Sequence, residues 1–203
     1  GGMEGYRAAP TPGPSQGPSL EQQVHQLFPA WSPEQIRDLS VNLRRVPGGA
    51  QSALASLQHE YLTLDQDIAV WENNVRRPSL GPNLQLRQQQ HAYERQTRRL
   101  WGQELRRAWR HETALDDYYE PPTRNGRTLH LGTSLESELP LLSVRFEYIS
   151  HLTLEGNNLP LGNLNAFLQG FPRLRFLAIR SIPLGELPPA VFDMTTLNEL
   201  VLS

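Results

Sequence analysis

The chain has 203 residues and a formal net charge of −2, enough for one medium domain or two small ones. With no cysteine, a disulfide framework, thiolate zinc sites and a cysteine nucleophile are excluded from these residues; the near-neutral charge argues against a nucleic-acid surface built from bulk charge. No apolar run approaches the roughly 20 residues of a membrane span, and Gly1 to Ser19 lacks the basic-then-apolar pattern of a secretory signal.

Hydrophobic residues make up 38% of the chain, while Pro (17) and Gly (15) are numerous, so part of it reads as linker. Residues 1–18, with Pro10, Pro12, Pro14 and Pro18 among Gly and Ser, are expected to form a disordered leader. A helical region follows over 19–115. Ser19 and Gln22 are spaced as a capping box ahead of the apolar face Leu20, Val24, Leu27 and Phe28, and Pro29 ends that helix. Ser32 then caps a second helix with Pro33 at its first position and the stripe Ile36, Leu39, Leu43 and Val46, stopped by Pro47-Gly48-Gly49. Leu54, Leu57, Tyr61, Leu64, Ile68, Trp71 and Val75 recur at intervals of three and four, a narrow seam that needs a partner helix. The partner is the segment from about Leu86 to Thr113, with Tyr93, Thr97, Trp101, Leu105, Ala108 and Trp109 on one side. The short break between them predicts an antiparallel hairpin.

Asp116 through Pro122, within a junction at 116–125, separates the helices from a repeat over 126–203. The cores Leu129-His130-Leu131, Ile149 to Leu154, Leu174 to Ile179 and Leu197 to Leu202 align so that Leu129, Leu152, Leu177 and Leu200 stand 23, 25 and 23 residues apart. That period lies in the leucine-rich-repeat range. Asn157 with Leu159, Leu184 with Leu187 and Pro188, and Leu139-Pro140 extend the pattern, whereas Gly126, Glu136 and Ile182 depart from it. The first unit thus reads as a degenerate cap docked on the helices. The expected fold class is α+β: an N-terminal helical hairpin, then a leucine-rich-repeat solenoid of short parallel strands, about three and a half repeats long. Because the last unit stops at Ser203 without its return arm, the chain is expected to be part of a longer protein.

Leu27-Phe28-Pro29 through Leu39, Gly49 through Tyr61, Leu105 through Arg110, Phe167-Leu168 to Leu174 and Leu187-Pro188-Pro189-Ala190 resemble a family of large bacterial proteins. These carry a dermonecrotic-toxin-like N-terminal region, a helical segment, leucine-rich repeats and often a C-terminal novel E3 ubiquitin ligase domain. The resemblance implies a secreted effector that reaches the host cytoplasm without a signal peptide and whose repeats select a substrate or restrain the ligase domain. It transfers no catalytic residue to this chain. All 19 basic residues are arginine; the plain reading is compositional bias, although a ligase without lysine would also lack acceptors for self-modification.

A repeat of this kind binds with the strand residues that lie between its leucines. The partner-binding candidates are Arg127, His130, His151, Thr153, Glu155, Arg175, Phe176, Arg180, Glu199 and Val201, with Phe176 read either as an exposed aromatic anchor beside His151 and Glu199 or as packed against a neighbour or the helical domain. Glu155 and Arg180 share a column and should pair. His130 and His151 lie in different columns without a carboxylate to complete a metal set, and Asp116 and Asp117 suggest no acid–base chemistry. No catalytic residue, metal or cofactor is expected, and nucleic acid is not an expected partner. The arginines of the long helix, Arg98 and Arg106 among them, would serve a membrane-surface reading but fit a solvated, ion-paired face better. The expected function is protein recognition; the alternative is a structural spacer within a large toxin.

Overall fold

The computed structural model describes residues 17–119, 126–157, 159–180 and 186–203. Most of the expected leader (1–16), the second half of the junction (120–125) and positions 181–185, including Ile182 and Leu184 of the third repeat, lie outside the described residues. The fold is α+β. Its helices are α1 (Leu20–Leu27), α2 (Pro33–Arg44), α3 (Ala50–Glu72), α4 (Leu84–Trp109) and α5 (Leu161–Leu168), and its strands are β1 (Arg127–Leu135), β2 (Ile149–Gly156), β3 (Phe176–Arg180) and β4 (Glu199–Leu202). A 3₁₀ turn spans Pro189–Asp193. No helix among the described residues is long and apolar enough to cross a membrane.

The chain divides into two compact units, 1–59 and 60–203. The junction read from the sequence, 116–125, lies within the second of these units. The long helix α4 groups with the strands because it packs directly on β1.

In the first unit both capping boxes form. The Ser19 hydroxyl accepts from the Gln22 N–H (3.2 Å) while the Gln22 side chain accepts from the Ser19 N–H (2.8 Å), and Ser32 and Gln35 repeat the arrangement. Each box satisfies two otherwise orphaned donors. Leu20, Val24, Phe28, Ile36 and Leu43 are buried, and Phe28 stacks on Trp31 at 4.0 Å. Val46 departs from the expected stripe and is exposed, since α2 ends at Arg44; Ser40 is buried instead, its hydroxyl donating to the Ile36 carbonyl (2.7 Å).

In the second unit α4 runs antiparallel to the C-terminal half of α3. Glu60 accepts from Trp109 Nε1 (2.6 Å), Asp65 and Glu72 accept from Arg106 (2.7 and 2.9 Å), and the Trp71 carbonyl accepts from Arg98 (2.6 Å), so rising numbers on one helix meet falling numbers on the other. Gly102 permits this approach: a Cβ there would stand 2.9 Å from Ile68 Cγ2, closer than packing allows. The expected inward face is shifted at its start, for Tyr93 is exposed whereas Glu94 and Arg98 are buried. Arg98 also donates to Ser137 Oγ (2.6 Å), and Ser137 in turn donates to Glu94 (2.6 Å). Trp101 and Trp71 donate to the carbonyls of Thr133 and Glu138 (both 2.8 Å), fastening β1 and its following loop to the helices.

The four strands form one parallel sheet in the order β1-β2-β3-β4. Leu129, Leu152, Leu177 and Leu200 are paired strand to strand, as are Leu131, Leu154, Ile179 and Leu202; the spacing of 23, 25 and 23 residues therefore is the sheet register. Through β3 these side chains are fully buried, and deleting one should cost about 2–5 kcal/mol. Leu139, Leu159, Leu164, Phe167, Leu168 and Phe171 on the returning segments are buried too, with Phe146 and Phe171 stacked at 5.0 Å. Asn157 contributes a backbone N–H to the Leu135 carbonyl (2.7 Å). Side-chain amides linking successive returns come from Asn163, which exchanges two hydrogen bonds with the Leu139 backbone (2.6 and 3.1 Å), and Asn165, which accepts from the Ala190 N–H (2.6 Å).

Candidate functional site

Side chains alternate across a strand, so residues between the buried ladders share the other face of the sheet. The register assembles them in rows. Thr128, His151, Phe176 and Glu199 form one; His130, Thr153, Ala178 and Val201 form the next; Glu155 faces Arg180 across β2 and β3. The shared column expected of Glu155 and Arg180 is present, while His130 and His151 stand in different rows with rings 5.5 Å apart.

The first row is covered. Phe176, the candidate anchor, and His151 are each 8% exposed and stack on each other at 4.2 Å. The cover is the junction segment. Tyr118 lies 5.2 Å from the His151 ring and 4.9 Å from that of Phe176, and its hydroxyl donates to Glu199 (3.3 Å). Tyr119 meets Tyr118 edge-on at 4.9 Å and carries the Arg175 guanidinium 4.5 Å over its ring. The aromatic body of the row therefore supports Tyr118, which is itself half exposed.

The segment is tied along its length to β1 and β2. Arg127 Nη1 donates to the Thr113 carbonyl (2.7 Å), the Thr128 N–H to the Ala114 carbonyl (2.8 Å) and the Asp116 N–H to the Gly126 carbonyl (2.8 Å), around an antiparallel bridge between Leu115 and Arg127. Asp116 is 2% exposed; it accepts from the Ser150 hydroxyl (2.5 Å) and from the Tyr118 N–H (3.1 Å). Its other neighbour is His151, whose Nδ1 is 3.9 Å away and has no hydrogen-bond partner among the described residues. Burial lowers the His151 pKa, more than the Asp116 carboxylate raises it, with His130 pushing it further down and Glu199 pulling it up. A nucleophilic serine needs an imidazole to take its proton. Here Ser150 donates straight to the carboxylate and is buried, so the trio braces the strap and leaves no reactive hydroxyl in solvent.

Of the ten candidates, His130, Arg180 and Val201 are exposed, and Arg127, Thr153, Glu155, Arg175 and Glu199 are half buried. His130 Nδ1 is 2.8 Å from Thr153 Oγ1. Arg127 is engaged in holding the strap, and burial lowers its pKa. Among the described residues no three His, Asp or Glu side chains are grouped to hold a metal ion. Neither Arg98 nor Arg106 offers a free, solvated guanidinium to a membrane surface. Arg98 is 3% exposed, and Arg106 is held between Asp65 and Glu72.

Asp116 and Tyr118 are the site residues missing from the sequence-based set. The polar, aromatic, proline-stopped composition of their segment marked it as a junction. It carried no period that would have laid it on the sheet.

No protein-family model matches the chain, and neither a curated protein nor a solved structure matches it.

Proposed function

We propose that the chain is a protein-recognition module of the leucine-rich-repeat kind, using the sheet face that carries His130, Thr153, Ala178 and Val201. The observation that supports this reading is the register itself: two aliphatic ladders turn to the core, leaving between them a row of small and polar side chains beside the Tyr118 ledge. A floor of Thr, Ala and Val flanked by an aromatic ledge on one side and the Glu155 and Arg180 charges on the other suits an extended or loop-borne protein segment. Such surfaces bind through a few central aromatic and arginine contacts within a neutral surround. The resemblance to secreted bacterial effectors with novel E3 ligase domains supports a host protein as the partner, delivered to by a route independent of a signal peptide, with the repeats as the substrate-selecting part. Ligase chemistry is assigned to none of these residues, which include no cysteine.

Immobilised chain is expected to capture a host cytosolic protein that is lost on Val201→Asp combined with Arg180→Glu, both at exposed positions. Gln103→Glu on the exposed side of α4 should leave capture unchanged. Equal capture by the sheet-face variant and the parent chain would remove the recognition reading and leave the spacer role.

A further inference from the structure

Within residues 60–203, the connection between α3 and α4, the beginning of α4 and the loop after β1 enclose a cleft of about 770 Å³, a volume typical of small-molecule sites. Its charged lining is mostly basic on one side. The helix connection and α4 supply Arg76, Arg77, Arg87 and Arg98 together with Glu94, while the loop supplies Glu136 and Glu138.

Arg76 and Arg77 are exposed, whereas Arg87 and Arg98 are partly or wholly withdrawn from solvent. Arg98 is 3% exposed, and its Nη1 and Nη2 are fixed by the Trp71 carbonyl and Ser137 Oγ. Its Nε has no hydrogen-bond acceptor among the described residues, the Glu94 carboxylate standing 3.8 Å off. Arg87 shows the same feature: Nη2 donates to the Ser79 carbonyl (2.8 Å), which orients the guanidinium, and Nε is withdrawn from solvent without a partner. Desolvated guanidinium N–H groups without a hydrogen-bond acceptor are costly, and their natural complement is an oxyanion able to accept from several forks at once. Glu94, the carboxylate that α4 itself contributes, is already engaged, accepting from Ser137 Oγ (2.6 Å) and from the Glu136 N–H (3.4 Å) of the loop. The exposed side chains of Glu136 and Glu138 remain as acceptors that would repel a second anionic group and take hydroxyl or amine donors.

We propose that this cleft binds a small phosphorylated molecule, its phosphate received by Arg76, Arg77 and Arg87 over the buried Arg98, and its hydroxyl or amine groups by Glu136 and Glu138. This site is separate from the sheet face proposed for protein recognition.

Calorimetric titration of the whole chain with glucose 6-phosphate, adenosine monophosphate, inorganic phosphate and glucose tests it. One saturable site for at least one phosphorylated probe is expected, at least tenfold tighter than for inorganic phosphate, with no heat from glucose. Arg76→Gln with Arg77→Gln should weaken that binding at least tenfold while the unliganded unfolding temperature stays unchanged, both side chains being exposed. Glu136→Gln with Glu138→Gln should shrink the preference over inorganic phosphate. No saturable binding of either organic phosphate overturns the proposal. So does binding that the double arginine variant leaves intact, or binding confined to a phosphopeptide or to phosphatidylserine vesicles.

Discussion

Two buried carboxylates within residues 60–203 solve the same problem in different ways. Glu94, 7% exposed, accepts from a serine hydroxyl and has the guanidinium of Arg98 in the adjoining turn of its own helix. Asp116, 2% exposed, also accepts from a serine hydroxyl, but the nitrogen nearest to serving as its counterion is His151 Nδ1 at 3.9 Å, on an imidazole whose pKa burial has lowered. An arginine is charged at any pH a folded protein meets, whereas an imidazole is charged only on demand. The first cluster therefore cements α4 to the loop after β1. The second ties down the strap, which also rests on the rings of His151 and Phe176, through hydrogen bonds without a permanent counterion, and it is expected to be the more easily loosened.

The largest effect should come from breaking the permanent pair. Arg98→Met leaves Glu94 buried without its counterion and frees the Trp71 carbonyl and Ser137, so unfolding free energy should fall by about 3–5 kcal/mol in urea denaturation. Adding Glu94→Gln should restore more than half of that loss. Full additivity of the two changes would show that the carboxylate and the guanidinium do not depend on each other.

A second imidazole sharpens the contrast through pH. His111, 4.3 Å from Tyr148, has its pKa lowered to about 4 from 6.5 by burial and, secondarily, by Arg127. The unfolded chain thus takes up the proton first as pH falls. The stability that depends on the neutral ring is complete above pH 6.5 and is lost progressively down to about pH 4, a change of about 3 kcal/mol. Thermal unfolding of His111→Gln should show a correspondingly shallower fall across that window, and an unaltered slope would assign the pH dependence to other groups.

The smallest effect belongs to the strap. Asp116→Ala removes the acceptor of Ser150 and of the Tyr118 N–H, and should cost about 1–3 kcal/mol. Hydrogen exchange is the sharper measurement, because the Tyr118 amide should lose protection while amides of the ladder residues Leu152 and Leu177 keep theirs. Loss of protection throughout the sheet would mean that Asp116 supports the core and not merely the strap.

Local signals were legible in the sequence wherever a short-range physical rule acts. The serine and glutamine pairs at both capping boxes, the proline and glycine stops, the antiparallel hairpin and the leucine spacing that became the sheet register all follow from backbone donors needing partners or from the periodicity of buried apolar side chains. Which of its two readings Phe176 would take was not legible, for the opposite reason. Its place between ladder leucines does put it on the other face of the sheet, but exposure depends on what else lies there, and Tyr118 comes from a segment 58 residues earlier without a period of its own.

Sequence alone thus determined the order of the four N-terminal helices, though not α5, the parallel pairing of strands and the division of each strand into inward and outward side chains, since these rest on spacings of a few residues or on one repeated interval. Tertiary structure alone decided that α4 joins the sheet's compact unit, that Glu94 and Arg98 go inside while Tyr93 stays out, and that a polar junction is laid over the strand face. In each case a buried polar group was matched to a partner dozens of residues away, and only the folded chain brings such partners within hydrogen-bonding distance.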